Sequence, residues 1–172
     1  MKTLNVLIIS TRRYPDTGGA AKQAFLQSKY LSFFDVHSTL LSCRPSGKNW
    51  NKNSQINKNF QIETLPFEAP GLKTNRLNVI LFFLKFTIFG LIKTIRLIKK
   101  HEINIIHVHS PPPSGFIGFI VSKLFKIPYF YTLHGLDIPF ILNLDLSISA
   151  KNSVKTIVVS KEMKKTLELR FG

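Results

Sequence analysis

The segment from Ile103 to Asp137 constrains this chain more than any other. Ile103-Asn104-Ile105-Ile106-His107-Val108-His109 is rich in β-branched residues and ends in polar ones. Ser110-Pro111-Pro112-Pro113-Ser114-Gly115 is a turn, and Phe116 to Lys126 is apolar and of helical length. Ile127 to Asp137 then repeats the first pattern, ending in Thr132-Leu133-His134-Gly135-Leu136-Asp137. Neither run alternates apolar with polar residues, as expected of strands covered on both faces, and a crossover of this length joins parallel strands. The unit predicted is βαβ. In such sheets ligands collect outside the carboxyl ends of the strands. His109, Ser110, His134, Gly135 and Asp137 are therefore expected on one rim.

The segments before and after extend the same pattern. Leu4 to Ile9 reads as a first strand, and Ser10 to Gly19 as a loop, because Pro15 and the glycine pair oppose strand and helix alike. Ala20 to Phe33 reads as a helix with Ala21, Ala24, Phe25 and Leu31 as core candidates. Its N-terminus faces the rim, where Gly18 and Gly19 leave backbone amides open to a ligand and the helix dipole favours a phosphate. The same glycines could serve turn geometry alone. Val36 to Leu41 is a second strand. Cys43 to Lys58 is polar and reads as a mobile surface excursion, in which Trp50 is a packing anchor or a contact residue. Phe60 to Leu65 is a third strand near an edge, closed by Pro66, Pro70 and Gly71. Beyond the βαβ unit, Pro139 to Ala150 is helical or irregular, Thr156 to Val159 is a strand, and Ser160 is placed to cap a helix from Lys161 to Arg170. Six strands alternating with helices give one doubly wound, Rossmann-like α/β domain with no internal repeat. At 172 residues the chain is long enough for a single substantial core.

Charge narrows the partners. The chain has 24 Lys+Arg against 9 Asp+Glu, a formal net charge of +15, which favours anionic partners such as nucleic acid, phospholipid head groups or phosphorylated substrates. Its one cysteine, Cys43, excludes an internal disulfide and suits a reducing compartment. Leu4 to Ile9 is at the short limit for a signal core, and Arg12 and Arg13 stand where small residues of a cleavage site belong. A buried strand and a cytoplasmic location are expected. His107-X-His109 lacks a third ligand at useful spacing, so no metal or other cofactor is expected, and His107 is assigned to hydrogen bonding within the core.

Leu77 to Lys100 is the longest periodic element. Lys85 and Lys93 break its apolar run below the roughly 20 residues that a membrane span needs. On a helical wheel Lys85, Lys93, Arg96, Lys99 and Lys100 fall within an arc of about 120°. Leu84, Leu91, Thr94 and Ile98 lie opposite, while Phe82, Phe89 and Ile92 sit among or beside the lysines. A basic face with embedded aromatics suits a helix lying on an anionic bilayer, so these five cations are the expected membrane contact at the inner face. A core helix with an ordinary solvated basic side is the alternative.

The order of these signals resembles the N-terminal domain of the family-4 glycosyltransferases, retaining enzymes of GT-B fold. The resemblance rests on Pro15, Gly18 and Gly19 after the first strand and on Ile105-Ile106-His107-Val108-His109-Ser110-Pro111. It rests further on Tyr131-Thr132-Leu133-His134-Gly135 and on Val158-Val159-Ser160-Lys161-Glu162, and it covers nearly the whole chain. It implies that Gly18 and Gly19 approach the diphosphate of a UDP- or GDP-sugar donor and that His134 stands at the reaction centre. It further implies that His109, with Ser110 and Asp137, lines the side of a glycan or lipid-linked acceptor. A leaving diphosphate is stabilised by backbone amides and positive charge, and a sugar hydroxyl by a hydrogen-bonding imidazole.

One departure is large. In the family the donor nucleotide sits mainly in a C-terminal domain with an acidic pair seven residues apart, and this chain ends at Gly172, about where the linker should begin. The expectation is a fragment, or one half of a transferase completed by a separate donor-domain chain. The competing reading is a non-enzymatic basic module on the same scaffold, binding anionic lipid or nucleic acid. No recognised nucleic-acid motif supports the nucleic-acid half of it.

Overall fold

The computed structural model describes residues 3–16, 18–46, 53–71, 74–109, 113–134 and 147–171. In chain order the elements are β1 (Asn5–Ser10), α1 (Gly19–Leu31), β2 (His37–Arg44), β3 (Asn53–Asn57), β4 (Phe60–Glu68) and α2 (Arg76–His101). They continue with β5 (Ile105–His109), α3 (Ser114–Phe125), β6 (Tyr129–Leu133), β7 (Lys155–Val158) and α4 (Lys161–Phe171). A 3-10 turn follows α1 at Ser32–Phe34, and residues 147–152 are helical.

The strands form one sheet in the order β3-β4-β2-β1-β5-β6-β7, parallel throughout except for the β3–β4 hairpin. With the hairpin strand set aside, the order is that of a Rossmann sheet. Strand alternation divides the core. Leu7, Ile9, Ile106, Val108, Tyr129, Tyr131 and Leu133 pack with Phe86, Leu97, Ile117 and Val121 of α2 and α3. Val6, Ile8, Leu40, Phe60 and Ile62 pack with Ala24 and, part-buried, Phe25 and Leu31. The predicted core of α1 is thus in place, with Ala21 buried as well. Helix α3 lies close on the sheet because a Cβ at Gly118 would come within 2.7 Å of Val108 Cγ1.

The strand count departs from the expected six. β3 falls inside the segment read as a surface excursion, since Asn-Ser-Gln-Ile-Asn at a sheet edge carries no apolar alternation to betray it. Trp50 lies outside the described residues. β4 also runs past Pro66 to Glu68. Its register to β2 slips between Cys43 and Arg44, whose partners are Leu65 and Glu68, so Pro66 sits in a bulge where no ladder donor is needed. Ser160 caps α4 as expected, its Oγ accepting from Met163 N at 3.1 Å.

Helix α2 is the crossover from β4 to β5. Asn75 caps it by accepting from Asn78 N at 2.9 Å, and Glu102 ends it in the left-handed region. Its buried side is Phe86, Gly90, Thr94, Leu97 and Ile98. Leu84, expected opposite the cations in the core, is 53% exposed and belongs to an outward stripe with Leu77, Leu81, Ile88 and Ile92. The sheet takes the stripe centred on Gly90, because only a glycine there admits Ile117 of α3 (a Cβ would lie 2.7 Å from its Cδ1). The cations divide too. Lys93 Nζ is ion-paired with Glu63 Oε2 at 2.8 Å, and Lys85 Nζ stands 5.1 Å from the centroid of the Phe67 ring. Arg96, Lys99 and Lys100 are exposed. Lys85 and Lys93 do not disqualify the helix as a span: by length and composition it is long and apolar enough to cross a membrane. In this fold it serves as a sheet-packed crossover.

Candidate functional site

β1 and β5 are neighbours at the middle of the sheet, and their onward connections diverge, one toward β2 and the other toward β6. That divergence leaves a crevice at their carboxyl ends, where Ser10 and His109 are register partners. His107 and His109 are two residues apart on β5 and share a face. His134 follows β6, whose Thr132 is the register partner of His109.

The three imidazoles stack. The rings of His107 and His109 have centroids 4.7 Å apart at 20°, and those of His109 and His134 lie 5.2 Å apart at 21°. Gln27 of α1 spans the inner two, with Nε2 2.7 Å from His107 Nδ1 and Oε1 2.8 Å from His109 Nε2. His107 Nε2 meets Thr132 Oγ1 at 2.7 Å, and His109 Nδ1 meets His134 Nε2 at 2.9 Å. Burial pushes His107 down to about 4 and His109 to about 2, with the neighbouring imidazoles adding to both, and burial alone lowers His134. Burial disfavours the charged form of each ring, so the cluster is neutral at pH 7. Among the described residues no group of three or more His, Cys, Asp or Glu is arranged to hold a metal.

The glycine pair enters from β1. Gly18 has φ +128°, a conformation closed to L side chains, while Gly19 has an ordinary φ and opens α1. A Cβ at Gly19 would meet nothing within 4 Å. Gly18 is thus accounted for by backbone geometry and Gly19 is not. Behind the loop, the hydroxyls of Ser10 and Thr11 are buried and have no hydrogen-bond partner among the described residues. Arg13 is also buried, its guanidinium pushed down by desolvation and held up in part by Asp16. From Gly19 an open groove of about 480 Å³ runs along α1 past Lys22, Gln23 and Leu26 to Gln27. The groove is lined by α1 alone, and Gln27 at its far end is the residue that bonds to His107 and His109.

Of the residues expected at the rim, Gly18, Gly19, His109 and His134 are positioned around this crevice. Ser110, Gly135 and Asp137 lie outside the described residues. His109 is fully buried, with His134 on one ring nitrogen and Gln27 on the other. Lys85, Lys93, Arg96, Lys99 and Lys100 are on α2, a separate surface. Gln27 carries no motif signal in the sequence, although the four-residue spacing of Gly19, Gln23 and Gln27 marks one helical face. A second cavity, about 400 Å³ between His37, Gln61, Lys100 and His101, opens at the amino ends of the strands. None of the rim residues lines it, and it is the end of such a sheet where ligands do not collect.

The model of Glycosyltransferase Family 4 matches residues 17–172. The chain belongs to that family. Its fold is similar to that of a glycosyltransferase from Rickettsia africae ESF-5, at TM-score 0.57 and 18% identity over 97% of this chain and 39% of that one. It is also similar to a UDP-N-acetylglucosamine 2-epimerase, at TM-score 0.58 and 16% identity over 99% of this chain and 46% of that one. At such identities the likeness speaks to the fold. The chain spans less than half the length of both proteins. No curated protein matches it in sequence. The Rossmann strand order agrees with the GT-B N-terminal architecture expected from the motifs.

Proposed function

We propose that this chain is the acceptor-side half of a retaining glycosyltransferase, acting with a donor-binding half on the same or a separate chain. The donor is a UDP- or GDP-sugar, and the acceptor a lipid-linked or cell-envelope glycan. The observation that carries this reading is the open space at Gly19, at the N-terminus of α1 and at one end of a groove whose other end is Gln27, the hydrogen-bond partner of His107 and His109. Backbone amides at a helix start suit a diphosphate, and Lys22 on the same groove adds a cation. His134, whose Nε2 is engaged by His109, is a neutral imidazole for hydrogen bonding to sugar, without the charge that would draw water or phosphate.

Catalysis by differential binding then assigns roles. The α1 amides and Lys22 stabilise charge growing on the leaving diphosphate, and His134 orients the sugar. Transfer of labelled sugar from UDP- and GDP-sugars to membrane extract is the test. The whole protein should turn over and this chain alone should not, while multiple turnover by the purified chain would overturn the division of labour.

We also propose that the outer face of α2 meets the cytoplasmic side of an anionic membrane. The stripe Leu77, Leu81, Leu84, Ile88 and Ile92 is exposed, and Arg96, Lys99 and Lys100 lie at its C-terminal end. Apolar burial with cations at the head-group level is the chemistry of an interfacial helix. It would bring a lipid-linked acceptor to the enzyme already concentrated in two dimensions.

A further inference from the structure

We propose that Gln27 is a positioning residue for His134, acting through His109: its amide sets the direction of a hydrogen-bond chain and thereby which nitrogen of His134 carries the proton. The proposal rests on the reading of His134 as a residue that binds sugar, but its geometry stands without it.

An amide has one group that only donates and one that only accepts. Gln27 Nε2 faces His107 Nδ1 at 2.7 Å, so Nδ1 accepts and His107 holds its proton on Nε2, which donates to Thr132 Oγ1 at 2.7 Å. Gln27 Oε1 faces His109 Nε2 at 2.8 Å, so His109 carries its proton there. A neutral ring then has Nδ1 as an acceptor, and His134 Nε2 donates to it at 2.9 Å. Every ring is an Nε2–H tautomer, and His134 Nδ1 is held in the acceptor form. Rotating the Gln27 amide by half a turn would reverse every bond and put all three protons on Nδ1. A side chain that never touches His134 therefore determines what His134 offers.

The chain works only while the rings stay neutral, because an imidazolium donates from both nitrogens and would break the sequence. Burial and mutual repulsion supply that condition at His107 and His109. Both nitrogens of His107 and both of His109 are engaged, which leaves neither ring a nitrogen for a metal.

The chain with ¹⁵N-labelled histidine, read by ring nitrogen–proton correlation spectra, tests this. At pH 7 all three rings should be neutral and protonated on Nε2; protons on Nδ1 throughout would overturn the proposal. In Gln27→Glu a carboxylate accepts from both inner rings, so His107 should move its proton to Nδ1. At His109 a carboxylate oxygen replaces an amide oxygen, both acceptors, so His109 and His134 should keep their protons on Nε2. Gln27→Met keeps the bulk without the bonds, and should leave His109 and His134 as tautomer mixtures. If His134 keeps its wild-type ring signals in Gln27→Met, or His107 keeps its own in Gln27→Glu, Gln27 is a packing residue and the proposal fails. Neither donor nor acceptor enters the experiment. Full transferase activity in a variant with the expected spectra would count against the functional reading alone.

Discussion

Lys93 Nζ lies 2.8 Å from Glu63 Oε2, joining α2 to the middle of β4. Glu63 is 7% exposed, so this lysine partners a buried carboxylate and is not part of a free basic surface. Removing one partner of a buried pair leaves the other desolvated, which costs more than the pair itself contributes. Lys93→Gln should lower stability by about 1–3 kcal/mol, seen as a lower denaturant midpoint with an unchanged slope. It should leave binding to anionic vesicles almost as it was.

Vesicle binding should depend instead on Arg96, Lys99 and Lys100. Each cation near an anionic surface contributes about 1 kcal/mol. The triple change to Gln should therefore cost on the order of 3 kcal/mol, a loss of more than about a hundredfold. Sedimentation with anionic and neutral vesicles measures it, and equal binding by the triple variant and the wild type would move the contact elsewhere. Leu81→Gln with Ile88→Gln should weaken binding to both vesicle types, because it removes apolar burial and no charge.

Gly18 and Gly19 should respond in opposite ways to alanine. Gly18→Ala forces a side chain into φ +128°, at a cost of about 1–3 kcal/mol. Gly19→Ala meets open space and replaces a helix-start glycine, so stability should hold or rise by up to about 1 kcal/mol. Donor binding by the whole protein should nonetheless fall in Gly19→Ala. Unimpaired affinity for the sugar nucleotide would remove Gly19 from the diphosphate site.

His134→Ala separates a site residue from a core one. His134 is partly buried and its Nε2 bonds to His109, so its loss should cost about 1 kcal/mol. In a chain of this size that lowers Tm by roughly 2–4 °C. Transfer by the whole protein should be abolished. Full activity would end the case for His134 at the reaction centre, whatever the melt shows.

The buried rings also fix a pH dependence. His107 and His109 have folded pKa values of about 4 and about 2, below the ordinary 6.5. Above pH 6.5 neither form of the chain protonates them, and their linkage to stability is nil. Below it the unfolded chain takes up protons that the folded one refuses, so stability falls by about 1.4 kcal/mol per pH unit for each ring. The loss from His107 ends near pH 4, where the folded ring protonates as well, and that from His109 continues lower. Thermal melts from pH 7 to 4 should show a steep decline beginning near 6.5. A flat melting temperature from pH 7 to 5 would mean that these rings are solvated.

The βαβ unit, the loop with Gly18 and Gly19 and the cap at Ser160 were legible because each has a local signal: β-branched runs, turn residues, a hydroxyl before a helix. β3 was not, since an edge strand made of Asn, Ser and Gln looks like any polar loop until β4 pairs with it. Gln27 was hidden for a related reason. A glutamine on a helix carries no mark of its own, and its partners are 80 and 82 residues away.

The sequence by itself determined the doubly wound architecture and the rim at which His109, His134 and the glycines gather, because strand direction and periodicity are properties of short segments. Only the tertiary structure decided which side of α2 is buried. Its lysines share an arc of the wheel, yet Glu63 claims one, Phe67 another, and Gly90 alone lets α3 approach. It also decided that the three histidines are one neutral stack, since desolvation and hydrogen bonding depend on what surrounds a ring in space. Those quantities have no representation in a linear chain.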